Sequence, residues 1–310
     1  MRSFGLAFIL ATALLVTACD QRTDTQAPPA TDASAGAGFP EGAPYVLKGT
    51  QVWTVPDPVS GRDYEVFVSL PASYEAEPQR RYPVLYVTDA DYAFPILRQI
   101  ARRVNLDGPV LEDFILVGLS YAKGEGGGAS RSRDYTPIPC RPESRCALAH
   151  GGGAAYQAYL KDEVLPFIED RFRADPDARV LMGHSYGGLL GAQILFTDPT
   201  LFRSYVLGSP SFWFGQRHIT AMEADYARTH TDLPAEVFMY IGAFETSGST
   251  PRHASRYDMV GDMRAMEQVL KSREYPSLSV RSTVLSDEDH LTVAPAGFTR
   301  ALLAILPAAP

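Results

Sequence analysis

Apolar positions change their period several times along this chain, and each change predicts an element. "YEVFVSLP" (Tyr64 to Pro71) alternates apolar with polar residues, as a half-buried strand does. "YPVLYVTD" (Tyr82 to Asp89) and "FILVGLSY" (Phe114 to Tyr121) are short continuous apolar runs, the pattern of strands buried on both faces. "AYQAYLKDEVLPFIEDRF" (Ala155 to Phe172) has helical period and leads into the strand "ARVLMG" (Ala178 to Gly183). Helix "YGGLLGAQILF", strand "SYVLGSP", strand "EVFMYIG", helix "DMVGDMRAMEQVLKS", strand "LSVRSTVL" and helix "APAGFTRALLAIL" follow in that order. Repeated strand–helix alternation after an antiparallel start predicts an α/β fold. Its sheet is mostly parallel, with helices on both faces, in one domain over residues 45–310.

The first 44 residues read differently. The apolar run "FGLAFILATALLVTA" follows Arg2, is short for a membrane span and fits the core of a signal peptide over residues 1–18. The small residues before Cys19 in "LVTAC" resemble the lipobox of bacterial lipoproteins, which predicts a lipid on Cys19. Residues 19–44, rich in Ala, Pro, Thr, Ser and Gly, then form a flexible tether. The expected location is the periplasmic face of a bacterial membrane, held only by that lipid. An exported chain meets oxidising conditions, so Cys140 and Cys146 in "CRPESRC" are expected to form a disulfide. No Cys/His set has metal-ligand spacing, and no metal is expected. A formal net charge of −8 without a Lys/Arg run disfavours nucleic acid as a partner.

The candidate chemistry begins at Gly183-His184-Ser185-Tyr186-Gly187, a G-x-S-x-G set between a predicted strand and a predicted helix. A sharp turn there presents Ser185 as a nucleophile, with the helix N-terminus favouring negative charge beside it. A serine needs a general base. Of six histidines only His290, in "VLSDEDHLTV", follows the last predicted strand, where the order nucleophile, acid, base places it. His184 points away at such a turn and reads as a packing or hydrogen-bonding residue. The acid is expected just past "EVFMYIG": Glu245, with Asp262 as the alternate and Asp258 nearby. Asp287, Glu288 and Asp289 read as a solvated acidic turn. Oxyanion donors are expected from the backbone N–H of Tyr186 and of Asp91, with Tyr92 as the alternate to Asp91. His150-Gly151-Gly152-Gly153 imitates an oxyanion motif but lies in the wrong place, and "KGEGGGAS" reads as an exposed loop.

These segments together resemble the putative-esterase branch of the α/β hydrolases. That branch includes esterase D-like S-formylglutathione hydrolases, enterochelin and other ferri-siderophore esterases, feruloyl esterases and mycolyltransferases. The resemblance rests on "YPVLYVTDADYAF", "RSRDYTP", the long block from Gly151 through "GSPSFWF", "YIGAFE" and "DEDHLTV". It implies an α/β-hydrolase fold and an exported serine esterase without a cofactor, acting on a small-molecule ester. It also implies Ser185 and His290 as nucleophile and base, and Asp91 and Tyr186 at the oxyanion hole. An acyltransferase on the same site, or a binding protein that kept the fold, are the alternatives. Two features depart from the pattern: Ala90 stands where Gly is frequent, and "CRPESRC" is inserted near the substrate loops. Arg131, Arg133, Arg141 and Arg145 gather around that insertion, which fits an anionic or polyphenolic substrate and a solubilising surface equally.

Overall fold

A computed structural model describes residues 42–140, 146–248, 252 and 256–309. Cys19, the predicted signal peptide, Arg141 and Arg145 lie outside the described residues. Among the described residues eight strands form one sheet: β1 (Thr50–Asp57), β2 (Arg62–Ser69), β3 (Tyr82–Thr88), β4 (Ile115–Ala122), β5 (Ala174–His184), β6 (Ser204–Gly208), β7 (Ala235–Gly242) and β8 (Leu278–Leu285). Their spatial order is β1-β2-β4-β3-β5-β6-β7-β8. β2 runs antiparallel to β1 and β4, and every pairing from β4 to β8 is parallel.

The continuous apolar runs are explained by burial on both faces. Val84 and Tyr86 of β3 enter one core, and Leu85 and Val87 enter another. The second core is closed by Phe94 and Leu97 of α1 (Ala90–Val104) and by Phe298 and Leu302 of α8 (Val293–Ile305). The first takes α3 (Gly153–Tyr159), α4 (Leu165–Arg171), α5 (Tyr186–Thr197), α6 (Phe214–Thr229) and α7 (Met259–Ser272). A π-helical turn, Leu160–Val164, joins α3 to α4, so the long periodic segment is one irregular helix.

Four elements go beyond the sequence expectation: β1, α1, α2 (Gly127–Asp134) and α6. Pro95 disguises α1, yet its buried residues Ala90, Ala93, Phe94 and Leu97 keep helical spacing. "KGEGGGAS" is not simply a loop, because α2 starts inside it. Side-chain bonds offset its poor helix propensity: Ser130 Oγ accepts from the Ala122 N–H at 3.0 Å and donates to Asp134 Oδ2 at 3.1 Å. The compact unit runs from Leu47 to Pro310. Asp89, Ser185, Ser209, Glu245 and His290 all follow the carboxyl ends of strands, where open α/β sheets place ligands.

Candidate active site

Ser185 sits between β5 and α5 at φ 60° and ψ −117°, a conformation a non-glycine residue holds only when its surroundings impose it. The surroundings are specific. The Ser185 N–H donates to the Gly208 carbonyl at 2.9 Å, and its carbonyl accepts from Leu189 and Ser211 at 3.1 and 3.2 Å. Two glycines make the turn possible. A Cβ on Gly183 would lie 2.3 Å from the Gly187 backbone, and one on Gly187 would lie 2.2 Å from Thr88 Oγ1.

Three side chains then form a hydrogen-bonded chain. Ser185 Oγ is 3.0 Å from His290 Nε2, and His290 Nδ1 is 2.6 Å from Glu245 Oε2. Glu245 is buried, and its other oxygen accepts from the Ser209 hydroxyl at 2.6 Å and from the Gly242 N–H at 2.9 Å. Its backbone carbonyl accepts from Met259 and Val260 at the start of α7. The alternate carboxylates go elsewhere. Asp262 accepts from Arg217 Nε at 2.7 Å, and Asp258 caps α7 by accepting from the Gly261 N–H at 2.9 Å. The acidic run shapes the histidine loop: Asp289 Oδ1 accepts from the N–H groups of Leu291 and Thr292, and Oδ2 accepts from Arg252 Nε at 3.0 Å.

His184 has a defined place that the sequence pattern does not reveal. Its Nε2 donates to the His290 carbonyl at 3.0 Å, a tautomer assigned from the acceptor it faces. Its ring lies 4.8 Å from that of His290 and stacks on Tyr240. Burial, with His290 adding to it, drives its pKa down to about 3, so the ring stays neutral. The unfolded chain takes up a proton there below about 6.5 and the folded chain does not. Stability therefore falls as pH drops from about 6.5 towards about 3. Between pH 7 and pH 5 this one group removes roughly 2 kcal/mol of unfolding free energy. Urea denaturation of His184→Phe should show that increment missing from the pH dependence; an unchanged slope would contradict it.

Tyr186 opens α5 and Asp91 is the second residue of α1, both in first turns whose N–H groups have no acceptor within the helix. The Tyr92 N–H instead donates to the Asp89 carbonyl at 3.2 Å, so the alternate donor is occupied. Asp91 Oδ2 accepts from Ser120 Oγ at 2.7 Å. Beside this turn, sequence reasoning misses a charged pair. Asp89, buried at φ 54°, accepts from Arg131 through both oxygens, at 2.9 and 3.3 Å, and from the Tyr121 hydroxyl at 2.8 Å. The Arg131 guanidinium also lies 5.2 Å above the Tyr186 ring. Arg133 pairs with Glu125 and with Asp134, the latter at 2.7 Å. Both described arginines of the cluster are thus committed to carboxylates of the protein.

The glycine decoy is also explained. Gly151, Gly152 and Gly153 donate their N–H groups to Thr136 Oγ1, the Arg133 carbonyl and the Thr136 carbonyl, which leaves none for an oxyanion. His150 stacks on Phe214 and meets the Tyr186 ring edge-on. Cys140 and Cys146 are joined as a disulfide with Cα atoms 6.2 Å apart. Among the described residues, the one trio with metal-ligand proximity is Cys140, Cys146 and His150, and the bond consumes both sulfurs.

A cavity of about 470 Å³ opens beside Ser185 and His290. Trp213 and Tyr257 line it as a parallel stack with ring centroids 4.2 Å apart and planes within 4°. A larger cavity, about 580 Å³ beside Ser69 and Arg98, contains none of these residues.

A serine held at a strand–helix elbow of a mostly parallel sheet, bonded to a histidine beyond the last strand, places the chain among α/β-hydrolase-fold ester hydrolases. The family model described as "Putative esterase" matches residues 58–277, and the chain belongs to that family of carboxylic ester hydrolases. It is 27% identical over 270 residues to the ferri-bacillibactin esterase BesA of Bacillus subtilis (strain 168), covering 83% of this chain and 90% of that protein. The siderophore triacetylfusarinine C esterase of Aspergillus fumigatus is 33% identical over 159 residues, covering 50% of this chain and 53% of that one. The crystal structure of the BES protein from Bacillus cereus matches with a TM-score of 0.71 at 24% identity, over 86% of this chain and 99% of that one.

Proposed function

We propose that this protein cleaves carboxylic esters of siderophores or related aromatic acyl compounds through an acyl-enzyme on Ser185. The observation that carries the reading is the bonded chain Ser185–His290–Glu245 at the wall of an aromatic-lined cavity. Ser185 Oγ attacks the ester carbonyl carbon while its proton moves to His290 Nε2. Glu245 holds the Nδ1–H and stabilises the imidazolium. The amides of Tyr186 and Asp91 face the developing oxyanion. His290 returns the proton to the leaving alcohol. Water then adds to the acyl carbon by the same route, and the acid departs as Ser185 Oγ regains its proton.

Two relatives are named for siderophore esters. The Trp213–Tyr257 stack offers a flat aromatic wall near the nucleophile, suited to a planar acyl group. Purified protein should hydrolyse catecholate siderophore esters with kcat/KM at least about tenfold above that for simple alkanoyl esters, the order expected of a few kcal/mol of pocket contacts. Equal rates on both would place the substrate elsewhere. Product analysis with added alcohols should yield the free acid; dominance of a transfer product would make the protein an acyltransferase.

Export and anchoring belong to the same proposal: the enzyme works on the periplasmic face of a bacterial membrane, lipidated at Cys19. Metabolic labelling with an alkyne fatty acid should tag the protein and spare Cys19→Ser. Equal labelling of both would overturn the anchor.

A further inference from the structure

The segment Gly208-Ser209-Pro210-Ser211 at the end of β6 contributed to the family resemblance without receiving any chemistry. In the structure it reaches both ends of the hydrogen-bonded chain. Ser209 Oγ bonds Glu245 Oε1 at 2.6 Å, and Ser211 Oγ lies 3.3 Å from Ser185 Oγ. The backbone is fastened at the same place: the Ser211 N–H donates to the Ser185 carbonyl, and the Ser209 N–H donates to the Tyr240 carbonyl at 2.7 Å. Ser209 holds a left-handed φ of 38°, a conformation kept only because these contacts determine it.

Ser211 is 1% exposed, so its hydroxyl must find its acceptor inside the protein. Among the described residues the acceptor within reach is Ser185 Oγ. Ser185 directs its own hydrogen to His290 Nε2, so the hydrogen between the two serines belongs to Ser211. We propose that Ser211 is a further catalytic residue, a hydroxyl donor to the nucleophile's own oxygen that assists departure of Ser185 from the acyl group. The proposal rests on the acyl-enzyme reading above.

The bond is stronger in one charge state of Oγ than in the other. An ester oxygen is a poor acceptor, whereas an oxygen leaving as alkoxide is a strong one. During deacylation water adds to the acyl carbon, giving a proton to His290, and the carbon–Oγ bond then breaks. Oγ gains negative charge until His290 protonates it, while the Ser211 hydrogen stays on Ser211 throughout. A bond that strengthens along this path lowers its barrier. During acylation Oγ passes through a similarly charged transition state but starts as a hydroxyl, already a better acceptor than an ester oxygen, so the same bond helps that step less. The 3.3 Å separation, long for a neutral hydroxyl pair, fits a contact that tightens only when charge develops.

The test follows acyl-Ser185 by quenched mass spectrometry after a pulse of p-nitrophenyl acetate, comparing the native enzyme with Ser211→Ala. The acyl-enzyme lifetime should lengthen about tenfold, the loss of one charge-assisted bond in the transition state, while the acylation rate stays within about twofold. Both rates are read per acylated site, so a partly misfolded sample does not alter them. An unchanged lifetime, or acylation and deacylation slowed in equal proportion, would overturn the role of Ser211. Failure of the acyl-enzyme reading itself looks different: Ser185→Ala would still acquire the acyl group.

Discussion

Replacing Ser185 with alanine should lower kcat for p-nitrophenyl acetate by about 10⁴-fold or more, with the melting temperature close to that of the native protein. The size follows from how serine hydrolases work as a unit: without the nucleophile, only binding and oxyanion stabilisation remain. The fold should tolerate the change because the elbow is held by backbone groups, the Ser185 N–H on Gly208 and its carbonyl under Leu189 and Ser211, and by glycines at 183 and 187. His290→Ala should match it in kcat. Its ring makes both links in the chain, to Ser185 and to Glu245, so no path for the proton remains. Hydrolysis within tenfold of native in either variant would remove the mechanism.

The second large effect concerns the acid. Glu245→Gln keeps the shape of the side chain but removes the negative charge 2.6 Å from His290 Nδ1, and its amide can force the wrong imidazole tautomer. We expect kcat to fall by about 10³-fold or more, by comparison with Asp→Asn changes at triad acids. Asp262→Asn should stay within about twofold, because that carboxylate, in the first turn of α7, pairs with Arg217, whereas Glu245 is the carboxylate bonded to His290. Steady-state kinetics on the two variants side by side gives the answer. The reverse ranking would show that the resting geometry is not the working one.

Where the chain could be read from sequence, one physical cause repeats. Strands β3, β4, β6 and β7 are buried on both faces along nearly their whole length, so they appear as largely apolar runs between turns. The G-x-S-x-G elbow could be read because its glycines are steric necessities with their own neighbours, not decoration. Glu245 and His290 could be placed by order along the chain, because each must follow its own strand to meet Ser185. Residues whose role depends on distant partners stayed hidden. Nothing in "RSRDYTP" announces that Arg131 reaches Asp89, 42 residues earlier in the chain. Nothing beside Ser185 says that His184 holds the carbonyl of His290, 106 residues later. Helix α2 was obscured for another reason: its glycines argue against helix, and only side-chain bonds such as Ser130 to Asp134 offset them.

The central claim is that Ser185 carries the acyl group during turnover. Acid-quenched enzyme treated with p-nitrophenyl acetate, digested and mapped by mass spectrometry, tests it most directly. The account predicts one acetyl mass on the peptide containing Ser185, absent from Ser185→Ala and lost on chasing in buffer. Steady hydrolysis with no adduct at Ser185, or with the acetyl on another residue, would contradict it.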